Sequence, residues 1–315
     1  MVVNDLHLPH SSRRGFLAAS CYAAAAGFLA SGVHAATGGG SQAETYVGEL
    51  FESLNEAQRQ AICFATDHPS MTKANANWHI TQPLIGSDFY TKSQQATIEK
   101  IVEAVTSPDG FALLQRQMDE DDGGLQAYSM AIFGTPGSDR FQWVLTGRHL
   151  TLRADGNTMK QSAFGGPIVY GHGEESSPSD NVYYYQTQQI NAVFAALDSQ
   201  QREQALVKKL SPESELKPQA NAAAGIAASQ LDAAQQELLR KSLQVILAPY
   251  RQEDSAEAMQ LIDAAGFDRL RLIFAQEGDL ASDRIWDMWR IESPAGVIHF
   301  RGAPHVHAYI QLGKV

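Results

Sequence analysis

The order of helix-like and strand-like segments constrains the fold most, because the two kinds occur in blocks instead of alternating one by one. Apolar residues recur with helical spacing over about 45–118 and again over about 186–262. The strand-like runs are 128–133, 141–145, 149–153 and 159–163, followed near the C-terminus by 270–276, 285–292, 297–301 and 305–312. This grouping predicts an α+β fold with a mostly antiparallel sheet, in which the middle and C-terminal strands combine and pack with the N-terminal and central helices.

Three predicted helix starts share one spacing. An Asn or Asp stands three residues before a Gln at Asn55–Gln58, Asp198–Gln201 and Asp232–Gln235. In a capping box of this spacing, each of the two side chains accepts a hydrogen bond from the other residue's backbone N–H. Further helices are expected over 92–105 and, after the break at Ser107-Pro108, to about Met118.

Residues 1–35 have the layout of a twin-arginine secretion signal. A basic segment contains Ser12-Arg13-Arg14-Gly15-Phe16-Leu17, a weakly apolar stretch follows, and Val33-His34-Ala35 offers a signal-peptidase site. The stretch is rich in Ala and Gly, which favours a cleaved signal over an anchor helix. We therefore expect a periplasmic or secreted protein, with the twin-arginine translocase and signal peptidase as partners during export and no membrane attachment after cleavage.

The rest of the chain is expected to be one domain. Residues 36–44 contain Gly38-Gly39-Gly40-Ser41 and are predicted to form a flexible tether. No composition break divides 45–315, so a single α+β domain is predicted there. Cys63 is the only cysteine after residue 35 and lies in an apolar run, which is typical of a buried, inert thiol.

The charge of the chain excludes one class of partner. With 24 basic and 35 acidic residues, the formal net charge is −11. An acidic protein is not attracted to phosphate backbones or anionic membranes, so no nucleic-acid partner is expected. The acidic run 119–122 lacks the ligand alternation of a calcium loop and is interpreted as a solvated loop that closes the preceding helix.

Histidine is the residue type that indicates chemistry here. Nucleophile-elbow, phosphate-loop, dinucleotide-binding and H-E-x-x-H motifs are absent from the sequence. Pro304-His305-Val306-His307 contains two histidines two apart, which a strand projects to the same side. Such a pair of neutral imidazoles can bind a transition metal such as zinc, copper or iron. Because H-x-H also occurs by chance, surface or structural histidines are the alternative.

A predicted hairpin adds two side chains to this patch. Gly302-Ala303-Pro304 lies between two strand-like runs and is expected to be a three-residue loop. In that register Arg301 faces His305, His299 faces His307, and all four side chains share one face. A two-residue loop would instead send His299 to the face opposite His305.

The expected site includes residues from the middle strands. His149 follows Gly147-Arg148 on a predicted central strand and is the natural additional metal ligand. The metal ligands predicted from the sequence are therefore His149, His299, His305 and His307. Arg148 and Arg301 are expected to bind an anionic group. The glycine-rich segment from Phe164 to Glu175 is interpreted as a loop in which His172 and Glu174 are further candidates.

Several motifs occur together in a fixed order. They are the twin-arginine leader, Leu-x-x-x-Gln-Arg at Leu54 and Leu197, Gly147-Arg148-His149-Leu150-Thr151-Leu152, Phe164-Gly165 and His305-Val306-His307. In this order the chain resembles the bacterial "domain of unknown function 3500" family over nearly all of its length after the leader. The family pattern has two adjacent histidines where this chain has Arg148-His149, and acidic residues where it has His299 and Arg301. The resemblance implies a fold unit and an exported context, and supplies no established reaction.

Two functions follow as hypotheses. The first is an exported metal-binding protein with a histidine-rich site on the C-terminal sheet, acting as a metal-dependent enzyme on a small molecule that the sequence does not identify. The metal would act as a Lewis acid or generate a hydroxide. The second is a non-catalytic periplasmic or cell-surface binding protein with structural histidines. A binding protein of this kind is expected to expose an aromatic patch, for example around Tyr183-Tyr184-Tyr185.

Overall fold

A computed structural model of the chain describes residues 41–138, 140–156, 158–175, 178–216 and 224–313. The α-helices in these residues are α1 (Gln42–Ser53), α2 (Glu56–Ile62), α3 (Lys92–Ala104), α4 (Pro108–Asp122), α5 (Tyr184–Ala196), α6 (Ser199–Ala205), α7 (Ala233–Leu247) and α8 (Gln252–Ala265). The strands are β1 (Cys63–Phe64), β2 (Ser129–Gly134), β3 (Phe141–Gly147), β4 (Leu150–Asp155), β5 (Ile168–His172), β6 (Leu206–Val207), β7 (Ile226–Ala227), β8 (Arg271–Ala275), β9 (Met288–Ser293), β10 (Gly296–Arg301) and β11 (Val306–Leu312).

The strands of the described residues join one sheet. Their order is β1-β2-β3-β4-β5-β11-β10-β9-β8-β6, and β7 pairs with β8. The short β1 and β6 pair parallel to their neighbours, and the other pairs are antiparallel. Since β5 pairs with β11, the middle and C-terminal strands form a single sheet. The predicted α+β fold with a mostly antiparallel sheet is confirmed.

The main core lies on one face of the sheet. Along β11 the even-numbered residues are buried, and Val306, Ala308 and Ile310 join an apolar cluster with helical residues such as Ile98 and Leu243. Burying a large apolar side chain stabilises the fold by about 1.5–3 kcal/mol relative to leaving it exposed. The odd-numbered residues of β11 project to the other face and are only half-buried. This second face carries the candidate site.

The three helix starts predicted from the Asn/Asp-to-Gln spacing are confirmed. Asn55, Asp198 and Asp232 cap α2, α6 and α7, and both hydrogen bonds of the capping box are present in each case. The helix expected near Thr45 begins earlier, at Gln42, so positions 42–44 of the predicted tether are helical.

Three local predictions are wrong. The acidic run 119–122 is the last turn of α4 instead of a solvated loop, and Gly123 ends the helix with a φ of 77°. The run 159–163 forms no strand, because the chain turns there before Gly165 and Gly166, which both have positive φ. The segment 168–172, interpreted as part of a glycine-rich loop, is β5.

The predicted signal, 1–35, and positions 36–40 of the tether lie outside the described residues. Cleavage, export and the domain boundaries stay predictions. None of the described helices combines the length and the apolar character that a bilayer span requires.

Candidate metal centre

Three imidazoles converge on the second face of the sheet. His149, His305 and His307 each offer a ring nitrogen, and these nitrogens all lie within 4.8 Å of one another. The ring centroid of His149 is 5.0 Å from that of His305 and 5.0 Å from that of His307. The Nε2 atoms of His305 and His307 are 3.1 Å apart. In a tetrahedral site with metal–nitrogen bonds of about 2.0–2.1 Å, neighbouring nitrogens are about 3.3 Å apart, so this group can hold a metal ion.

Each imidazole is backed by a carboxylate. The Nδ1 atom of His149 lies 2.7 Å from Asp121, that of His305 lies 2.8 Å from Glu175, and that of His307 lies 3.1 Å from Glu213. An ionised carboxylate only accepts hydrogen bonds, so each Nδ1 carries the proton and each neutral ring keeps its lone pair on Nε2. Carboxylates placed behind ligating imidazoles in this way fix the ring orientation and increase its basicity.

The tautomers have a consequence for His305 and His307. If both Nδ1 atoms carry protons, the two Nε2 lone pairs face each other at 3.1 Å. Two lone pairs at this distance repel, and a cation between them removes the repulsion. A proton on one Nε2, donated to the other, removes the repulsion as well, so the pair can hold either a metal ion or a shared proton.

His149 owes its position to a tight turn between β3 and β4, and not to the central strand predicted from the sequence. Its φ is 55°, a left-handed conformation that costs a non-glycine residue about 1–3 kcal/mol. Hydrogen bonds hold the residue there. Its N–H donates to the carbonyl of Ala76 at 2.5 Å, and its carbonyl accepts from Nε2 of Gln117 at 3.1 Å.

Gly171 allows the histidines of different strands to meet. Within the sheet, Gly171 on β5 pairs with His307 on β11. On its other side β5 pairs with β4 through Val169 and Thr151. Two residues further along this antiparallel pair, His149 lies opposite Gly171. A Cβ at Gly171 would lie 2.1 Å from the carbonyl oxygen of Val306 and 3.2 Å from the Cβ of His149. Any other residue at this position would therefore push the strands or the ligands apart.

The β10–β11 hairpin has a longer loop than predicted. Arg301 pairs with His307 and His299 pairs with Tyr309, so the predicted pairing of Arg301 with His305 is wrong by two residues. Five residues, Gly302 to Val306, lie between the paired residues Arg301 and His307, because Pro304 has no N–H and pairing with β10 resumes only at His307. His305 thus reaches the site from the loop, and His307 from the strand.

Glu213 connects several side chains of the site. Its Oε2 accepts from Nδ1 of His307 at 3.1 Å and from the Tyr309 hydroxyl at 3.0 Å, and its Oε1 lies 2.6 Å from Nε of Arg301. Burial raises the pKa of Glu213, but the hydrogen bonds and the positive charges outweigh it and lower that pKa to about 2. Glu213 is therefore ionised at neutral pH.

Burial also favours the neutral form of two of the three imidazoles. It lowers the pKa of His305 and of His307 below 6.5, although Glu175 and Glu213 partly offset the effect. Neutral imidazole is the form that binds a metal.

Comparison with known proteins identifies the family. The model of the family described as "protein of unknown function (DUF3500)" matches residues 39–311. The chain belongs to this family. No curated protein matches it, and no solved structure does.

The fourth predicted ligand lies apart from the other three in this DUF3500 protein. His299 is 1% exposed and sits opposite Tyr309, with the two ring centroids 6.2 Å apart. Nε of Arg290 donates to its Nδ1 at 3.3 Å. Burial and the nearby Arg290 lower the pKa of His299 to about 3, so this histidine is a neutral part of the core.

The two predicted anion-binding arginines differ in their surroundings. Arg301 is engaged by Glu213 at 2.6 Å. Arg148 is 44% exposed in its side chain, and its Nε lies 4.0 Å from Oδ1 of Asp121. His172, a further candidate, is buried with Nε2 2.7 Å from Glu120 and Nδ1 accepting from the N–H of Val182, so both of its nitrogens are occupied.

Sequence reasoning missed the carboxylates and Gly171. Asp121 lies in the acidic run that we interpreted as solvated, yet its side chain is 2% exposed. Glu175 follows the candidate loop residues His172 and Glu174, which gave a partial signal. Glu213 lies 94 positions from His307, and no sequence pattern indicates their contact.

Proposed function

We propose that the protein is an exported metal-dependent enzyme that holds a transition metal on His149, His305 and His307. One observation carries the proposal: ring nitrogens of three imidazoles converge within 4.8 Å while a carboxylate faces Nδ1 of each ring. Three neutral protein ligands with one open position are the pattern of catalytic zinc, whereas structural zinc sites are closed by four ligands. Zinc is the metal favoured by this all-imidazole set, and copper and iron are the alternatives.

The chemistry proposed is hydrolysis or hydration of a small molecule. A zinc ion with water in its open position supplies a hydroxide near neutral pH and polarises a substrate oxygen. The chain's own groups position the ligands. Asp121, Glu175 and Glu213 hold the three rings, and Tyr309 together with Arg301 holds Glu213 in turn.

The non-catalytic alternative predicts an exposed aromatic patch around Tyr183, and the described residues do not show one there. Tyr183, in the proposed aromatic patch, is 3% exposed, and its ring lies 4.7 Å from that of Tyr170.

The proposed export fits metal loading. The twin-arginine route carries folded proteins, so a metal inserted in the cytoplasm would be exported inside its site. Replacing the pair by Arg13→Lys/Arg14→Lys should leave uncleaved precursor in the cytoplasm, detected by immunoblot of cell fractions. Normal export and cleavage of this variant would contradict the twin-arginine assignment.

Metal analysis of protein purified without chelators tests the enzyme's central requirement. We expect stoichiometric transition metal in the wild type and its loss in the His305→Ala/His307→Ala variant. His79→Ala is the matched control, because His79 is exposed and bonds only the carbonyl of Ala127 among the contacts seen. A metal-free wild type, or a folded double variant that keeps its metal, would contradict the proposal.

A further inference from the structure

Four side chains of the β10–β11 hairpin form a square on the second face of the sheet. Arg301 pairs with His307, and His299 pairs with Tyr309 two residues further along both strands. Glu213 contacts three corners of this square. Its Oε2 accepts from Nδ1 of His307 and from the Tyr309 hydroxyl, and its Oε1 lies 2.6 Å from Nε of Arg301. His299 is the fourth corner.

The hydrogen bond that His299 makes on its other side fixes its tautomer. Nε of Arg290 lies 3.3 Å from Nδ1 of His299, and because a guanidinium only donates, Nδ1 is the acceptor. A neutral imidazole that accepts at Nδ1 carries its proton on Nε2. His299 therefore has one N–H donor, on Nε2, in a side chain that is 1% exposed.

This N–H belongs to a cluster of buried polar atoms without a hydrogen bond. Seven buried side-chain atoms of the described residues have none, and three of them are Nε2 of His299, Nε of Arg301 and Oε1 of Glu213. The last two form an ion pair at 2.6 Å, but they are not aligned for a hydrogen bond. Leaving buried donors and acceptors unpaired destabilises a fold, so such groups normally bond to protein or to ordered water. Two donors and one acceptor around the same carboxylate point to a common partner.

We propose that one water molecule binds between these atoms, and that His299 acts through it as a positioning residue of the metal centre. A water that accepts from Nε2 of His299 and from Nε of Arg301, and donates to Oε1 of Glu213, matches the unpaired atoms in number and kind. Buried waters make about three such bonds. The two N–H donors exclude a cation at this point, and the carboxylate excludes an anion.

The water extends the support of one ligand by a further step. It holds Glu213, and Glu213 holds Nδ1 of His307. The proposal rests on the metal site proposed above and adds His299 to the residues that orient its ligands.

Two variants of His299 test the positioning role, with the zinc Kd measured by chelator competition on protein that melts cooperatively. His299→Leu removes the N–H and should weaken zinc binding by roughly three- to tenfold, less than the 10–100-fold typical of a direct partner of a ligand. His299→Gln keeps an N–H donor and an acceptor for Arg290 in its amide group, and should recover most of the affinity. A purely structural histidine would show no such recovery.

Trp289→Phe is the matched control. Nε1 of Trp289 is also a buried donor without a hydrogen bond, but it lies in the main core, where the ring stacks on Phe300 with centroids 4.8 Å apart. This variant should bind zinc like the wild type.

A high-resolution crystal structure of the wild type tests the water without any variant. We expect an ordered water within about 3.2 Å of Nε2 of His299, Nε of Arg301 and Oε1 of Glu213. No water there in a map that shows other buried waters, or equal zinc affinity of His299→Leu and the wild type, would overturn the proposal and leave the metal site standing. A wild type that binds no zinc would overturn the metal site and the positioning role together.

Discussion

Asp121→Asn should weaken metal binding while leaving the fold intact. The Asp121 side chain is 2% exposed, and it accepts from Nδ1 of His149 and from the N–H of Gly173. Asn has nearly the same shape, and its oxygen can still accept from Gly173. Its amide group would then face Nδ1 of His149, donor against donor, unless the imidazole changes tautomer. The other tautomer carries its proton on Nε2, where the metal must bind.

The size of the effect follows from this change of tautomer. Loss of a hydrogen bond behind a ligating histidine typically lowers metal affinity by 10–100-fold. This factor corresponds to roughly 1.4–2.7 kcal/mol of binding free energy. We expect Asp121→Asn to fall in that range, measured as the zinc Kd in competition with a chromophoric chelator.

Asp119→Asn is the matched control. Asp119 lies in the same acidic turn of α4 but is exposed, and the change removes the same charge. Its zinc Kd should equal that of the wild type. If Asp121→Asn folds and binds zinc as tightly as this control, the carboxylate does not set the tautomer of His149 and the reasoning is refuted.

Three other predictions concern packing, pH and capping. Gly171→Ala should lower both thermal stability and metal content, because its Cβ would meet the Val306 carbonyl at 2.1 Å; unchanged values would contradict the role of Gly171. Glu213 has a folded pKa lowered from 4.5 to about 2, so its stabilisation is present above pH 4.5 and is lost as the pH falls toward 2. The metal-free protein should lose on the order of 1 kcal/mol through this group, since solvent screening reduces the full effect of the pKa shift, and Glu213→Gln should flatten that part of a urea-unfolding pH series. Asp232→Ala should destabilise the fold by about 1 kcal/mol in urea unfolding, since it removes a capping box; no change would contradict the capping assignment.

The sequence determines local structure well where a single short-range rule operates. The capping boxes at Asn55, Asp198 and Asp232 were predictable because both partners lie within four consecutive residues. The grouping of strands likewise predicted the antiparallel sheet. In contrast, β5 was hidden because its Ile168-Val169-Tyr170 core stands between glycines and a proline, which together suggest a loop.

The candidate site was predictable only in part for the same reason. His305 and His307 are two residues apart in the sequence. Residues two apart on a strand lie on the same face, which limits where these side chains can point. The loop length decided the register, and no local pattern distinguishes a loop of three residues from one of five around Pro304. The contact of Glu213 with His307 depends on how a separate segment crosses the sheet, and such tertiary contacts leave no periodic signal in one sequence.

Anomalous diffraction from crystals of protein purified without chelators tests the central claim most directly. Data collected on either side of the absorption edge of the metal found by elemental analysis locate the ion independently of any assumption about its ligands. The account predicts a single strong peak about 2.0–2.1 Å from Nε2 of His149, His305 and His307. A peak bound elsewhere, or none in protein whose three histidines adopt the arrangement described above, would contradict it.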